Sequence, residues 1–271
     1  MLLLSCGKGL REVADSSFSL TKWYLDCVTA EGDAAILYSA VLRWRGISLA
    51  YNGILTASAS QVEQRTSLAR AQVRVDADEI EVRVPRLAIE GRWRREGKQF
   101  RTRVFESENG AIDWDCTQPG SSVQLHIGAR AFDGIGYAEC LRVTVPPWRL
   151  PMKQLRWGRF VAAEHTLAWI DWQGEFNSSF AVLDGARVGL DAVSEEEVVA
   201  DGSRLRMSDS LPLRTGKLGA TVLPSAPRLR RLLPPSLAAV EEHKWRSRGV
   251  LTCGEQSCKG WVIHEVVHWT L

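Results

Sequence analysis

The chain has 271 residues, 45% hydrophobic and 24% charged, a globular composition that excludes a disordered tail, a collagen-like rod and a disulfide mini-protein. Lys and Arg total 34 against 32 Asp and Glu, so the formal charge of +2 supplies no overall field to gather nucleic acid, and no nucleic-acid partner is expected. One count is unusual: 11 Trp against 4 Tyr and 7 Phe.

The chain opens on Met1-Leu2-Leu3-Leu4-Ser5-Cys6, an apolar start with no basic flank. Lys8, Arg11 and Glu12 cut it short of the roughly 7–15 residues of a signal core, so a cytoplasmic location is expected. No run of about 18 apolar residues is present, so no spanning helix is expected. Peripheral membrane contact and oligomeric state stay open. The six cysteines are read as reduced and mostly buried.

Strand-type alternation then dominates. Trp23–Val28, Ala35–Trp44 and Ile47–Tyr51 form a meander with turns at Glu31-Gly32-Asp33 and Arg45-Gly46. A short helix is expected at Ala59–Ala69. Ala71–Val75 and Glu79–Pro85 follow; in the latter Ile80, Val82 and Val84 share one face. Leu87–Trp93, Gln99–Glu106, Ala111–Cys116 and Ser122–Ile127 continue at spacings that suit a barrel or sandwich. The second half alternates in the same way through Gly136–Val145, Trp157–Ala163, Thr166–Trp172, Phe180–Leu183, Ala186–Leu190, Arg204–Leu213, Lys244–Cys253 and Lys259–Thr270. Pro224–Pro235 reads as a surface connection. The expectation is an all-β chain of two antiparallel barrels or half-barrels in tandem, residues 1–133 and 134–271. Ile-Asp-Trp recurs at Ile112 and Ile170, a thin hint of internal duplication.

Four groups could carry chemistry. His264-Glu265-Val266-Val267-His268 spells H-E-x-x-H, a zinc grip when helical. Its β-branched neighbours make it a strand, which turns Glu265 away from both histidines, so no metal is assigned. Cys253 and Cys258 form a C-x4-C hairpin tip, read as thiols or a facultative disulfide. Tyr137 and Glu139 share a strand face. Facing an apolar interior, Glu139 would lose its hydration, rise in pKa and serve as a general acid, unless Arg156 or Arg159 pairs with it. Acids set beside tryptophans form the last group: Asp26 near Trp23, Asp113 and Asp115 around Trp114, and Asp171 between Trp169 and Trp172, with His165 close by. No phosphate loop or G-x-S-x-G elbow is present.

Gly136-Tyr137-Ala138-Glu139, followed by Pro146-Pro147-Trp148 and Trp157-Gly158, resembles the lipocalin-like superfamily of carotenoid hydratases, tocopherol cyclases and AttH-type proteins. Tyr137 and Glu139 match the Tyr-x-Glu stretch of the cyclases. Trp148, Trp157 and Gly158 match their tryptophan cluster only loosely, because Trp157-Gly158 lies far beyond Glu139. The resemblance covers mainly residues 134–172. It implies two lipocalin-like barrels or half-barrels with an apolar cavity, and alkene protonation by a buried acid without a cofactor. On that reading Glu139 or Asp171 is the acid, and Trp148, Trp157, Trp169 and Trp172 shape the pocket and steady a carbocation.

The expected function is a cyclase, hydratase or isomerase acting on a hydrophobic terpenoid- or polyketide-like molecule inside a Trp-lined barrel. Its catalytic candidates are Glu139, Asp171, Tyr137, Asp113 and Asp115. Its binding candidates are Trp23, Asp26, Trp114, Trp148, Trp157, His165, Trp169 and Trp172. The rivals are a non-catalytic binder of a hydrophobic ligand and a zinc hydrolase built on the C-terminal motif.

Overall fold

Alternation of apolar and polar residues gives each strand two distinct faces, and in this chain both faces of many strands are buried. The computed structural model describes residues 18–59, 61–221 and 235–269. The expectations for Met1–Cys6 and for most of the Pro224–Pro235 connection lie outside them.

Ten strands build the first antiparallel sheet: β1 (Ser19–Thr29), β2 (Ala34–Trp44), β3 (Ile47–Ala57), β4 (Val62–Ser67), β5 (Gln72–Val75), β6 (Glu79–Val84), β7 (Ile89–Arg95), β8 (Phe100–Ser107), β9 (Gly110–Ile127) and β10 (Arg130–Val143). Nine build the second: β11 (Met152–Val161), β12 (Thr166–Gly174), β13 (Ser178–Leu183), β14 (Ala186–Val188), β15 (Leu190–Val193), β16 (Glu197–Ala200), β17 (Ser203–Lys217), β18 (Glu241–Cys253) and β19 (Gln256–His268). One sheet is a half-barrel and the other a nearly closed barrel, so the tandem all-β expectation holds. The chain changes sheet between Val143 and Met152, which puts Tyr137 and Glu139 on the first sheet.

The two sheets share a strand order. The first runs β4-β3-β2-β1-β10-β9-β7-β6-β5, with β8 attached to β9, and the second runs β14-β13-β12-β11-β19-β18-β17-β16-β15. In both, the sheet's first strand lies beside its last. The Ile-Asp-Trp match does not mark this likeness: β9 neighbours the last strand of its sheet, whereas β12 neighbours the first.

Two sequence expectations need correction. The helix expected at 59–69 is replaced by β4, which pairs with β3 from Asn52↔Ser67 to Ala57↔Val62. Val62-Glu63-Gln64-Arg65-Thr66-Ser67 has no apolar stripe to bury as a helix, and pairing with β3 supplies partners for its backbone. Ala111–Cys116 and Ser122–Ile127 are one strand, β9. Its Pro119-Gly120 turn signal sits in a bulge, where the register with β10 shifts between Gly136 and Glu139.

Three cores result. Leu25, Ile80, Val82, Trp93 and Leu125 fill the first sheet's own interior. Phe160, Trp169, Leu205, Leu251 and Val262 fill the second's. The third joins the sheets and takes Tyr24, Trp114, Tyr137, Trp157, Trp172 and Ile263. Asp26 of β1 and Arg159 of β11, both 0% exposed, cross that junction. Arg159 donates from Nε and Nη2 to the carboxylate at 2.9 and 2.6 Å, and from Nη1 to the Trp261 carbonyl at 2.8 Å. Asp26 is therefore a clamp between the sheets and not a ligand contact. No helix among the described residues is long and apolar enough to cross a membrane.

Candidate functional site

Each sheet's interior is filled by its own side chains, so the cavity lies between the sheets and not within one barrel. Its volume is about 450 Å3, in the range of small-molecule sites. The first sheet contributes Tyr24, Tyr38, Val104, Ile112, Trp114 and Leu141 to the walls, and the second contributes Leu155, Trp157, Ile170, Trp172 and Val267. Six ionisable side chains interrupt the apolar lining: Lys22, Glu139, Arg214, Glu242, Lys244 and Glu265.

Glu139 sits on β10 between Tyr24 of β1 and Cys116 of β9, and is 4% exposed. Tyr137 Oη donates to its Oε2 at 2.7 Å, and Trp114 Nε1 donates to the same oxygen at 2.5 Å. Both donors converge on one oxygen, and Oε1 has no hydrogen-bond partner among the described residues. Burial pushes the carboxyl up to about 7, with Glu265 adding to the rise; Tyr137, Lys22 and Trp114 oppose it. A carboxyl so placed carries its proton below about pH 7 and on about half of the molecules at neutral pH, and Oε1 is the oxygen free to hold it. The bulge positions this pair. Tyr137, left without a β9 partner, donates its amide to Asp26 Oδ1 at 3.1 Å, and its ring turns toward Glu139.

The opposite wall carries a charged cluster. Lys244 bonds Glu265 across β18 and β19 and lies 3.4 Å from Glu242. Arg214 reaches Glu242 at 3.1 Å. Burial works against the Glu242 charge, but Lys244 and Arg214 overcome it and hold that carboxyl at about 2. Burial likewise opposes the Lys244 charge, and Glu265, Tyr38 and Glu242 more than offset it, raising its pKa. The site therefore sets an acid raised toward neutral pH against a Glu242 carboxylate held as an anion by neighbouring cations.

The cavity brings together Glu139, Trp114, Trp157 and Trp172 of the sequence candidates, and Tyr137 supports it from behind. The others lie elsewhere. Asp113 turns outward to Arg103, and Asp115 to Arg101 and Arg142. Asp171 faces away on β12, where Gln173 donates to it at 2.8 Å. Trp169 packs within the second sheet's core, and Trp23 against the first's. Trp148 packs edge-on against Phe18 and tilted against Trp44. His165 binds Asp184 at 2.7 Å, remote from the cavity. Arg156 and Arg159 do not pair with Glu139; Arg159 belongs to Asp26.

Sequence reading missed Lys22, Tyr38, Arg214, Glu242 and Lys244, and left Glu265 to the histidine motif. In β19, Glu265 does point away from His264 and His268, and it enters the cavity. On a strand the two histidines stand about 13 Å apart along the chain, too far to share a zinc ion. His264 stacks on Trp245 and lies 3.1 Å from Ser247 Oγ; burial, Lys244 and Arg156 lower its pKa to about 4. Among the described residues Cys253 and Cys258 are unbridged at the hairpin tip, and Cys27, Cys116 and Cys140 are buried thiols.

No protein-family pattern matches the chain, and no curated protein matches it by sequence. Solved structures do share its fold. A putative AttH of Nitrosomonas europaea aligns over 100% of both chains with a TM-score of 0.58 at 12% identity. CghA aligns over 94% of this chain and 89% of its own, with a TM-score of 0.61 at 11% identity. A second structure of that protein, with Sch210972, gives 0.57 over the same shares of each chain. The fold is thus that of lipocalin-like AttH and CghA structures.

Proposed function

We propose that this protein is a cofactor-independent cyclase, hydratase or isomerase for a hydrophobic, terpenoid- or polyketide-like molecule held between the two sheets. The observation that carries this reading is Glu139: a buried carboxyl, its pKa raised to about 7, in the wall of an apolar cavity. Oε1 gives its proton to an alkene carbon of the substrate, and the adjacent carbon becomes cationic. Water or a substrate hydroxyl then adds there, losing its proton back to Glu139, or a neighbouring C–H loses its proton to give the shifted alkene. Trp114, Trp157 and Trp172 present ring edges and faces that exclude bulk water and stabilise positive charge. CghA, which shares the fold, has been solved with Sch210972. A purely passive carrier gains nothing from a carboxyl desolvated at such cost.

Incubation in D2O with a panel of acyclic isoprenoids and polyenes, followed by mass spectrometry, tests the reaction. Carbon protonation installs one non-exchangeable deuterium per turnover. The wild-type protein is expected to label at least one probe, and Glu139→Gln is expected to lose labelling by about 100-fold or more, the usual share of a general acid. Asp171→Asn is expected to label normally. Labelling by Glu139→Gln at the wild-type rate, or no labelling across the panel, overturns the assignment.

A further inference from the structure

The polar atoms of the cavity are unbalanced. Tyr38 Oη, Arg214 Nε, Trp172 Nε1 and Trp269 Nε1 are buried without a hydrogen-bond partner, and each carries a hydrogen to donate. Tyr38 and Trp172 are only 8% and 3% exposed, so bulk water does not serve them. A buried donor left unmet costs about 1–3 kcal/mol, and a ligand that supplies acceptors recovers it.

Charge repeats the asymmetry. Three cations gather around one ring: Lys22 Nζ lies 5.2 Å from the Tyr38 centroid, Arg214 Cζ 5.4 Å and Lys244 Nζ 5.6 Å. Glu242 and Glu265 neutralise Arg214 and Lys244. Lys22 has no ion-pair partner among the described residues. Its charge acts on Glu139 and Glu242, and Glu139 is neutral while it holds its proton. One positive charge and one phenol hydroxyl in the cavity wall are thus unmatched.

We propose that the substrate carries a carboxylate, which seats on Lys22, Tyr38 Oη and Arg214 Nε while its apolar body lies along Glu139 and the tryptophans. The proposal rests on the acid-cavity reading only in taking this cavity as the substrate site. The carboxylate meets the Tyr38 and Arg214 donors, balances Lys22, and fixes which carbon of the apolar body reaches Glu139 Oε1.

Farnesoate and farnesol are the probes, because they share a skeleton and differ at the head group. Binding at pH 6.5 is read from quenching of protein tryptophan fluorescence, with Trp114, Trp157 and Trp172 in the cavity wall as reporters. The wild-type protein is expected to bind farnesoate about tenfold or more tightly than farnesol, the worth of one charge-assisted hydrogen-bond set. Lys22→Met is expected to erase that preference, lowering farnesoate affinity about tenfold more than farnesol affinity. Tyr38→Phe removes only the hydroxyl and is expected to reduce the preference in part, which guards against misfolding of the first variant; circular dichroism confirms both folds. Equal affinity for the two probes, binding of neither, or an unchanged preference in both folded variants overturns the proposal. Deuterium labelling retained by Glu139→Gln would remove the acid and leave this preference standing, so the two failures are distinguishable.

Discussion

Glu139→Gln makes a stability prediction that needs no substrate. Gln keeps the shape of the side chain, and its carbonyl accepts the Tyr137 and Trp114 hydrogen bonds at Oε2's position. It removes only the ability to ionise. A carboxyl at about 7 when folded and at 4.5 when unfolded costs about 3 kcal/mol to ionise in place. Below about pH 4.5 both states hold the proton and the wild-type protein bears no penalty. Between about 4.5 and 7 the unfolded chain releases its proton while the folded protein retains it, so stability falls as pH rises. Above about 7 the loss is complete. Gln bears none of it, and the other titrating groups cancel between the two proteins. Urea unfolding of both proteins from pH 4 to 8 therefore gives a difference that grows by about 3 kcal/mol in favour of Gln. That is roughly 1 M in the urea midpoint at an m-value of about 3 kcal/mol/M. A difference constant across this range to within about 0.5 kcal/mol would refute the desolvated acid.

Two further predictions address its supports. Asp26→Asn leaves the fully buried Arg159 guanidinium without its counter-charge, and is expected to cost about 3–5 kcal/mol in urea unfolding. A loss under about 1 kcal/mol would show that the pair does not clamp the sheets. Tyr137→Phe deletes one donor to Glu139 and is expected to raise its pKa further above 7. The pH titration of the protonated-carboxyl infrared band measures this, and an unchanged midpoint counts against the role given to Tyr137.

The fold was legible because alternation is a local signal. Ile80, Val82 and Val84 share a face in the chain and in the first sheet's core. Glu139 was legible for the same reason, as an acid on a strand between two apolar residues with Tyr137 on its face. Where a partner strand decides the outcome, the signal fails. Asp113 and Asp115 have the same spacing as an inward pair, but β8 and β10 bring Arg101, Arg103 and Arg142 to their outward face. Asp26 looks like Asp171 in sequence, and only the meeting of β1 with β11 makes it a clamp. Glu242 and Lys244 look like the solvated face of a strand in Glu241-Glu242-His243-Lys244, yet the facing of the two sheets buries them. The tryptophan count divides the same way. Trp93 and Trp169 fill the separate cores, and Trp114, Trp157 and Trp172 line the cavity that the two sheets make together.

The common strand order explains how one cavity holds two kinds of carboxyl. In the first sheet, Tyr24 of the first strand pairs with Glu139 of the last. In the second, Trp157 of the first strand pairs with Glu265 of the last. Tyr24 and Trp157 meet edge to face at 5.0 Å where the sheets join, and Asp26 and Arg159, each two residues further on, form the clamp. Glu139 and Glu265 thus occupy corresponding places on opposite walls. Their neighbours on the next strand differ. Cys116 and Trp114 of β9 flank Glu139 with a thiol and an indole, whereas Lys244 of β18 stands directly beside Glu265. Burial raises the Glu139 pKa, whereas Glu265 holds an ion pair with Lys244. The difference between the two walls therefore lies in one strand of each sheet.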